Sequence, residues 1–267
     1  MTDLPKIRAP KISVRGVNKS FGDNHVLKGV DLDIMAGESL ALIGPSGSGK
    51  SVLGKCILGL MPLDGGTVEI DGKDVARMSR RERDAAYAKF GALFQNGALF
   101  DSLPVWRNVA FELLSARNWT PEKAKALAIE RLADVGMEPL VADLFPAELS
   151  GGMQKRVAFA RALAASPEVV VLDDPTAGLD PIVTAAISKL IDKIIRDSHA
   201  TALTITQDMA VIGHIAHRVA MLYDGRIVWS GPAPEVKKSG NEMVDQFVHG
   251  RRQGPIPTDV ISGQEAA

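Results

Sequence analysis

At 267 residues the chain has length for one sizeable core with a smaller lobe, and 31 basic against 32 acidic residues give no overall field that would favour nucleic acid as a partner. A single cysteine, Cys56, excludes an internal disulfide framework and reads as a small packed residue. No apolar run is long enough to cross a bilayer, and Pro5, Lys6, Arg8, Pro10, Lys11 and Arg15 break up any signal peptide, so the chain is expected to be soluble and to meet a membrane only through a partner.

In chain order, β-type runs at 12–17, 26–34 and 67–70 predict an antiparallel flank, the last ending in an Asp71-Gly72 turn. The apolar run 40–43 predicts a strand. Residues 102–145 are rich in Ala, Glu and Lys, open with Pro104 and space Leu127, Leu132 and Val135 as a helix does; they predict a helical insertion. Strand-like runs follow at 169–172, 202–206, 219–222 and 226–228. A helix over 182–196 lies between the first two, with Ile187, Leu190, Ile191, Ile194 and Ile195 inward and Lys189, Asp192, Lys193 and Arg196 outward. This alternation predicts an α/β fold, a mostly parallel sheet covered on both faces. The expected division is a nucleotide-binding core over 1–101 and 146–249 that includes the flank, a helical subdomain over 102–145, and an irregular, partly mobile tail over 250–267.

Three constellations carry chemistry. Gly44, Pro45, Ser46, Gly47, Ser48, Gly49, Lys50 and Ser51 stand between the 40–43 strand and a helix-like stretch, the context as well as the letters of a phosphate-binding loop. The glycines let backbone N–H groups wrap a triphosphate, Lys50 reaches its β/γ-phosphates, and Ser51 offers a hydroxyl to Mg²⁺. The substrate read from this loop is ATP or another nucleoside triphosphate. In the second constellation, the apolar strand 169–172 delivers Asp173 and Asp174 to the carboxyl edge of the sheet. Asp173 is expected beside Mg²⁺ and Asp174 beside the attacking water; a helix N-cap before Pro175 is the structural alternative. Third, Leu149-Ser150-Gly151-Gly152 opens an Arg- and Ala-rich helix. Ser150 is a good N-cap, yet the segment is also a second anion site, and one nucleotide occupies two such sites only if they face each other across a dimer.

With these motifs, Gln95 after a strand and Asp180 in Ala177-Gly178-Leu179-Asp180, residues 12–250 resemble an ATP-binding-cassette ATPase of the P-loop class. The resemblance implies a homodimer in which Ser150, Gly151 and Gly152 of one copy close on the γ-phosphate held by the other. It further implies Phe21 stacked on adenine, Gln95 on Mg²⁺ and the attacking water, Gln207 on the γ-phosphate, and Asp180 communicating across the dimer. Core packing is the alternative for Phe21. The segment 94–100 (Phe94-Gln95-Asn96-Gly97-Ala98-Leu99-Phe100), the stretch 101–108 and Gly254-Pro255-Ile256-Pro257 resemble the Mla-type phospholipid transport ATPases. That implies a peripheral position on the cytoplasmic face of a bacterial inner membrane, a permease partner, an MCE-type lipid-binding protein reached through it, a small STAS-type regulatory subunit, and no nucleic acid. Leu93, Phe94, Ala98, Leu99 and Phe100 form the expected apolar docking patch.

Two positions depart from the family pattern: Asp174 stands where Glu is usual and Gln207 where His is usual. The shorter acid predicts slow hydrolysis, and Gln207 keeps a hydrogen bond but loses a titratable charge. The remaining readings are an importer ATPase for another cargo and an ATP-dependent dimerisation switch.

Overall fold

Alternation of apolar and polar residues builds the first sheet in the computed structural model, which describes residues 9–95, 97–116 and 118–257. Strands β1 (Pro10–Phe21), β2 (Asn24–Met35), β4 (Gly65–Ile70) and β5 (Lys73–Asp74) pair antiparallel in the order β2-β1-β4-β5. Ile12, Val14 and Val17 face the core from β1, as do Val30, Leu32 and Ile34 from β2.

The second sheet has six strands in the order β10-β9-β3-β8-β7-β6. Its centre, β3 (Ser39–Ile43), β7 (Val169–Asp173) and β8 (Thr201–Ile205), is buried at every position, as a parallel sheet covered on both faces requires. β6 (Phe90–Leu93) and β9 (Arg218–Tyr223) extend it in parallel, and β10 (Arg226–Pro232) closes the far edge antiparallel to β9. Asp224 and Gly225, at φ 44° and 72°, make the two-residue turn between them.

Helix α1 (Lys50–Ile57) follows β3; α2 (Arg80–Tyr87) opens with a reciprocal Ser79–Glu82 capping box. The 102–145 segment holds α3 (Val105–Val109), α4 (Phe111–Ser115), α5 (Pro121–Asp134) and a 3-10 turn over Pro139–Asp143. Helices α6 (Gly151–Leu163), α7 (Pro181–Ser198), α8 (Met209–Ile215) and α9 (Glu242–His249) complete the fold. The helical segment does not keep a core of its own: Val105, Leu113 and Leu132 pack in one cluster with Phe159 of α6 and Leu93, Val170 and Leu172 of the sheet. The opposite sheet face joins the flank, where Ile12 and Val14 meet Leu40, Leu42 and Ile205.

In α7, Ile187, Ile191 and Ile195 are buried and Leu190 and Ile194 partly so, while Lys189, Lys193 and Arg196 are exposed. Cys56 is buried and packed, and its burial pushes the thiol pKa up. One expectation needs correction. Leu93 belongs to the core, 1 % exposed, because strand β6 turns it under α6. The tail is irregular as far as Pro257 and held at one point: buried Gln246 donates through Nε2 to the Ile256 carbonyl at 2.9 Å and accepts the Ile256 N–H on Oε1 at 2.7 Å, and Ile256 packs against the cluster that holds Val244. Residues 258–267 lie outside the described residues.

Candidate functional site

The loop after β3 is shaped by what cannot fit there. A Cβ on Gly44 would fall 2.1 Å from the Leu222 carbonyl, and one on Gly49, at φ 101°, would meet Leu27 at 3.0 Å. Gly49 is the N-cap of α1 and offers no side chain to its first N–H groups, and the first turn holds no acid. Those donors and the positive helix end are left for an anion. Lys50 is 6 % exposed, with its ammonium donating to the carbonyls of Gly44 at 2.8 Å and Pro45 at 2.7 Å. Burial pulls its pKa down, against the pull of Asp174 and Asp173. Ser48 Oγ is buried with no hydrogen-bond partner. A buried cation held only by carbonyls, next to an orphaned hydroxyl, fits a polyphosphate.

Strand β7 brings the acids to this loop. Ser51 Oγ donates to Asp173 Oδ1 at 3.0 Å, so helix α1 and strand β7 place a hydroxyl and a carboxylate side by side. Burial raises the Asp173 carboxyl, the Ser51 hydrogen bond works against it, and Asp174 adds to the rise. Asp174 sits at φ 48° with its N–H on the Ile205 carbonyl at 2.8 Å. That left-handed turn brings its side chain to the end of β8, where the Gln207 backbone N–H and the Thr206 hydroxyl lie near enough to favour its charged form. Burial raises this carboxyl too, against Lys50 and Lys155. Neither acid caps a helix. The next one, α7, begins at Pro181 and is capped by Asp180, whose Oδ1 accepts from Ile182 at 2.9 Å and Val183 at 3.0 Å.

Ser150 caps α6, its Oγ accepting the Met153 N–H at 3.3 Å, and it stays exposed with Gly151. A depression of about 400 Å³ is lined by Gln95, Gly97, Gly151, Gln154, Lys155 and residues 177–179. Another of about 430 Å³, also bordered by residues 177–179, is lined by Asp174, Thr206 and Gln207. The chain thus gathers Lys50, Ser51, Asp173 and Asp174 around the loop, with Gln207 bordering Asp174 and Gln95 beside Gly151. Phe21 stands apart in the flank sheet, 48 % exposed, with Lys19 Nζ 5.6 Å from its ring centroid.

Sequence reasoning passed over Thr206, Lys155, Arg161 and Asn108. Lys155 donates to the Gln95 carbonyl, and Arg161 to the carbonyls of Gly97 at 2.6 Å and Ala98 at 2.7 Å. Their six-residue spacing on one helix was the available signal. Fully buried Asn108 accepts the Phe100 N–H at 2.7 Å and donates to the carbonyls of Phe100 at 3.1 Å and Leu103 at 2.9 Å.

A phosphate loop, an acid-ended parallel strand and a Ser-Gly-Gly helix start in one molecule are matched by a family model described as ABC transporter, over residues 27–177. The chain belongs to the ATP-binding-cassette (ABC) transporter family. It is 39% identical over 245 residues to the probable ribonucleotide transport ATP-binding protein mkl of Mycobacterium leprae, covering 92% of this chain and 70% of that one. To the intermembrane phospholipid transport system ATP-binding protein MlaF of Haemophilus influenzae it is 32% identical, covering 92% of both. Among solved structures, the dimeric post-hydrolysis state of the cassette MJ0796 bound to ADP and Pi superposes with a TM-score of 0.76 at 31% identity, covering 83% of this chain and 98% of that one. The chain is an ABC transporter ATPase subunit that binds ATP with Mg²⁺ and hydrolyses it. ATPases of this family act as dimers with membrane permeases. No helix among the described residues is long and apolar enough to cross a membrane.

Proposed function

We propose that this ATPase powers phospholipid movement between bacterial membranes, from the cytoplasmic face of the inner membrane, through a permease that carries an MCE-type lipid-binding protein and takes a small STAS-type regulatory subunit. The observation that carries the cargo is the likeness to MlaF, which runs over 92% of both chains. The relative mkl is named for ribonucleotides, which makes another cargo the competing reading.

In this reading the backbone of residues 44–49 and Lys50 bind the phosphates and Phe21 stacks on adenine. Ser51 and Asp173 would hold Mg²⁺, with Gln95 at its edge; one hydroxyl and one carboxylate are the sparse hard-oxygen set that this ion takes with substrate phosphates. The ion supplies charge to offset the phosphate oxygens. Asp174, beside Thr206 and the Gln207 N–H, orients the attacking water, and the Gln207 amide donates to the γ-phosphate. Ser150, Gly151 and Gly152 close on the nucleotide of the second copy, and Asp180 holds the start of α7 at that boundary.

The permease meets the helical segment. Phe100 is 43 % exposed and stacks on Phe111 with centroids 4.6 Å apart, beside a groove of about 260 Å³ lined by Leu103, Trp106, Arg107, Leu114 and Pro121. This groove, and not Leu93, is the docking surface.

The test is to purify the chain with its permease from a membrane extract, identify bound lipid by mass spectrometry, and follow ATP-driven lipid transfer. Phospholipid transfer that is lost in Ser150→Arg, together with the ATP-dependent dimer seen by sedimentation, is expected. A permease that carries no lipid and whose ATPase rate responds to another solute would overturn the cargo.

A further inference from the structure

Helix α6 turns two cations toward the segment that follows β6. Lys155 takes the carbonyl of Gln95, and Arg161 takes those of Gly97 and Ala98 with the two arms of its guanidinium. Between them lies fully buried Ala158, 3.5 Å from where a Gly97 Cβ would stand. Positions 155, 158 and 161 share one face of the helix. The segment they hold is bent: Gly97 and Ala98 are at φ 70° and 48°, and the second is a conformation that a residue with a side chain keeps only when its surroundings hold it there. Asn108 pins the other side of the segment at Phe100 and Leu103. The helix that carries the cations is the one whose first turn is Gly151 and Gly152, capped by Ser150.

We propose that Lys155 and Arg161 are positioning residues for ATP hydrolysis: they lock the backbone of Gln95, Gly97 and Ala98 to α6, so that Gln95 and the Ser150-Gly151-Gly152 start of that helix hold one mutual placement. The proposal rests on the reading that Gln95 faces the γ-phosphate and the attacking water. Lys155 also lies within electrostatic reach of Asp173 and Asp174, whereas Arg161 acts on the loop alone, so Arg161 is the cleaner probe. Met at 161 keeps much of the stem volume and removes the fork; Lys at 161 restores one donor to one carbonyl.

The experiment compares Arg161→Met, Arg161→Lys and Gln95→Ala with the parent in the full chain, measuring kcat and KM for ATP and hydrogen exchange of the amides at 97–100. Arg161→Met is expected to lower kcat between about tenfold and a hundredfold, the scale of a displaced catalytic group, with KM little changed and exchange at 97–100 accelerated. Arg161→Lys should recover part of the rate. A parent-like kcat in Arg161→Met with accelerated exchange, or a raised KM at unchanged kcat, overturns the clamp while a slow Gln95→Ala leaves the Gln95 reading standing. A parent-like kcat in Gln95→Ala removes that reading and the proposal with it. If Arg161→Met does not fold, Lys155→Met decides by the same measurements, and an unchanged kcat there overturns the proposal.

Discussion

The phosphate end of the parallel sheet and the charged cluster beneath the flank treat their charges in opposite ways. Under the flank, Lys11 bridges Asp71 at 2.7 Å and Glu168 at 2.5 Å, and Lys89 reaches Asp71 at 3.0 Å. Partial burial acts to raise Asp71, but hydrogen bonds from Lys11 and Lys89 outweigh it and hold the carboxyl below its ordinary value. The Lys11 hydrogen bond lowers Glu168, and the Asp71 hydrogen bond raises Lys89. Every shift there favours the charged form. At the phosphate end, burial moves Lys50 down and Asp173 and Asp174 up, each toward neutrality. Charges that only hold the fold are paired off; charges kept for a substrate stand against their own desolvation.

Removing the cation should produce the largest break in that comparison. Lys50→Met is expected to cut steady-state ATP hydrolysis by at least ~10²-fold, the scale of one preorganised charge-stabilising group. The same variant should melt higher than the parent without nucleotide. Because the folded pKa of Lys50 is depressed, the native chain binds fewer protons than the unfolded one between that value and the ordinary one. Stability therefore rises with pH through that window, and the cost is present in full below the depressed value. Parent-like melting and parent-like turnover would place the charge outside the chemistry.

The catalytic acid comes next. Asp174→Asn should slow hydrolysis by about tenfold or more, since the amide cannot take up a proton from water. With the Asp174 carboxyl raised by burial, the acid limb of the rate profile should lie nearer neutrality than for an exposed aspartate, falling as pH drops through the raised value. Asp174→Glu should raise the rate by bringing the carboxylate closer, and adding Gln207→His should introduce a further limb near the imidazole pKa of ~6.5. The two effects should be non-additive in a double-mutant cycle, as neighbours bordering one depression. A slower Asp174→Glu enzyme would show that Thr206 and the Gln207 N–H are set for the shorter acid.

A smaller effect is expected at the groove. Phe100→Asp should leave ATP binding and melting close to the parent, because the ring is 43 % exposed, while reducing permease copurification several-fold. Unfolding of that variant would return Phe100 to the core.

The smallest effect belongs to the flank. Glu168→Gln should cost below about 1 kcal/mol of stability by denaturant titration, since the Glu168 side chain is half exposed, and should leave hydrolysis unchanged. A large loss of turnover there would erase the contrast between the two regions.

The chemistry was legible because it lies in short, contiguous patterns. A phosphate loop needs its glycines, lysine and serine at fixed local spacing, and the apolar run 169–172 must deliver Asp173 to the sheet edge whatever surrounds it. The periods of two and 3.6 residues likewise exposed the flank strands and the α7 stripe, because each buries one face. What the sequence left open depended on partners distant in the chain. Leu93 and Phe100 are both large apolar residues near Gln95, and only the packing of α6 over β6 makes one core and leaves the other at the surface. The clasp of Gln246 on Ile256 and the grip of Arg161 on Gly97 and Ala98 pair a side chain with backbone groups that carry no residue identity. Local pattern therefore determined which chemistry the chain carries. Tertiary structure decided how that chemistry is aimed, because a carbonyl becomes a specific partner only where the fold places it.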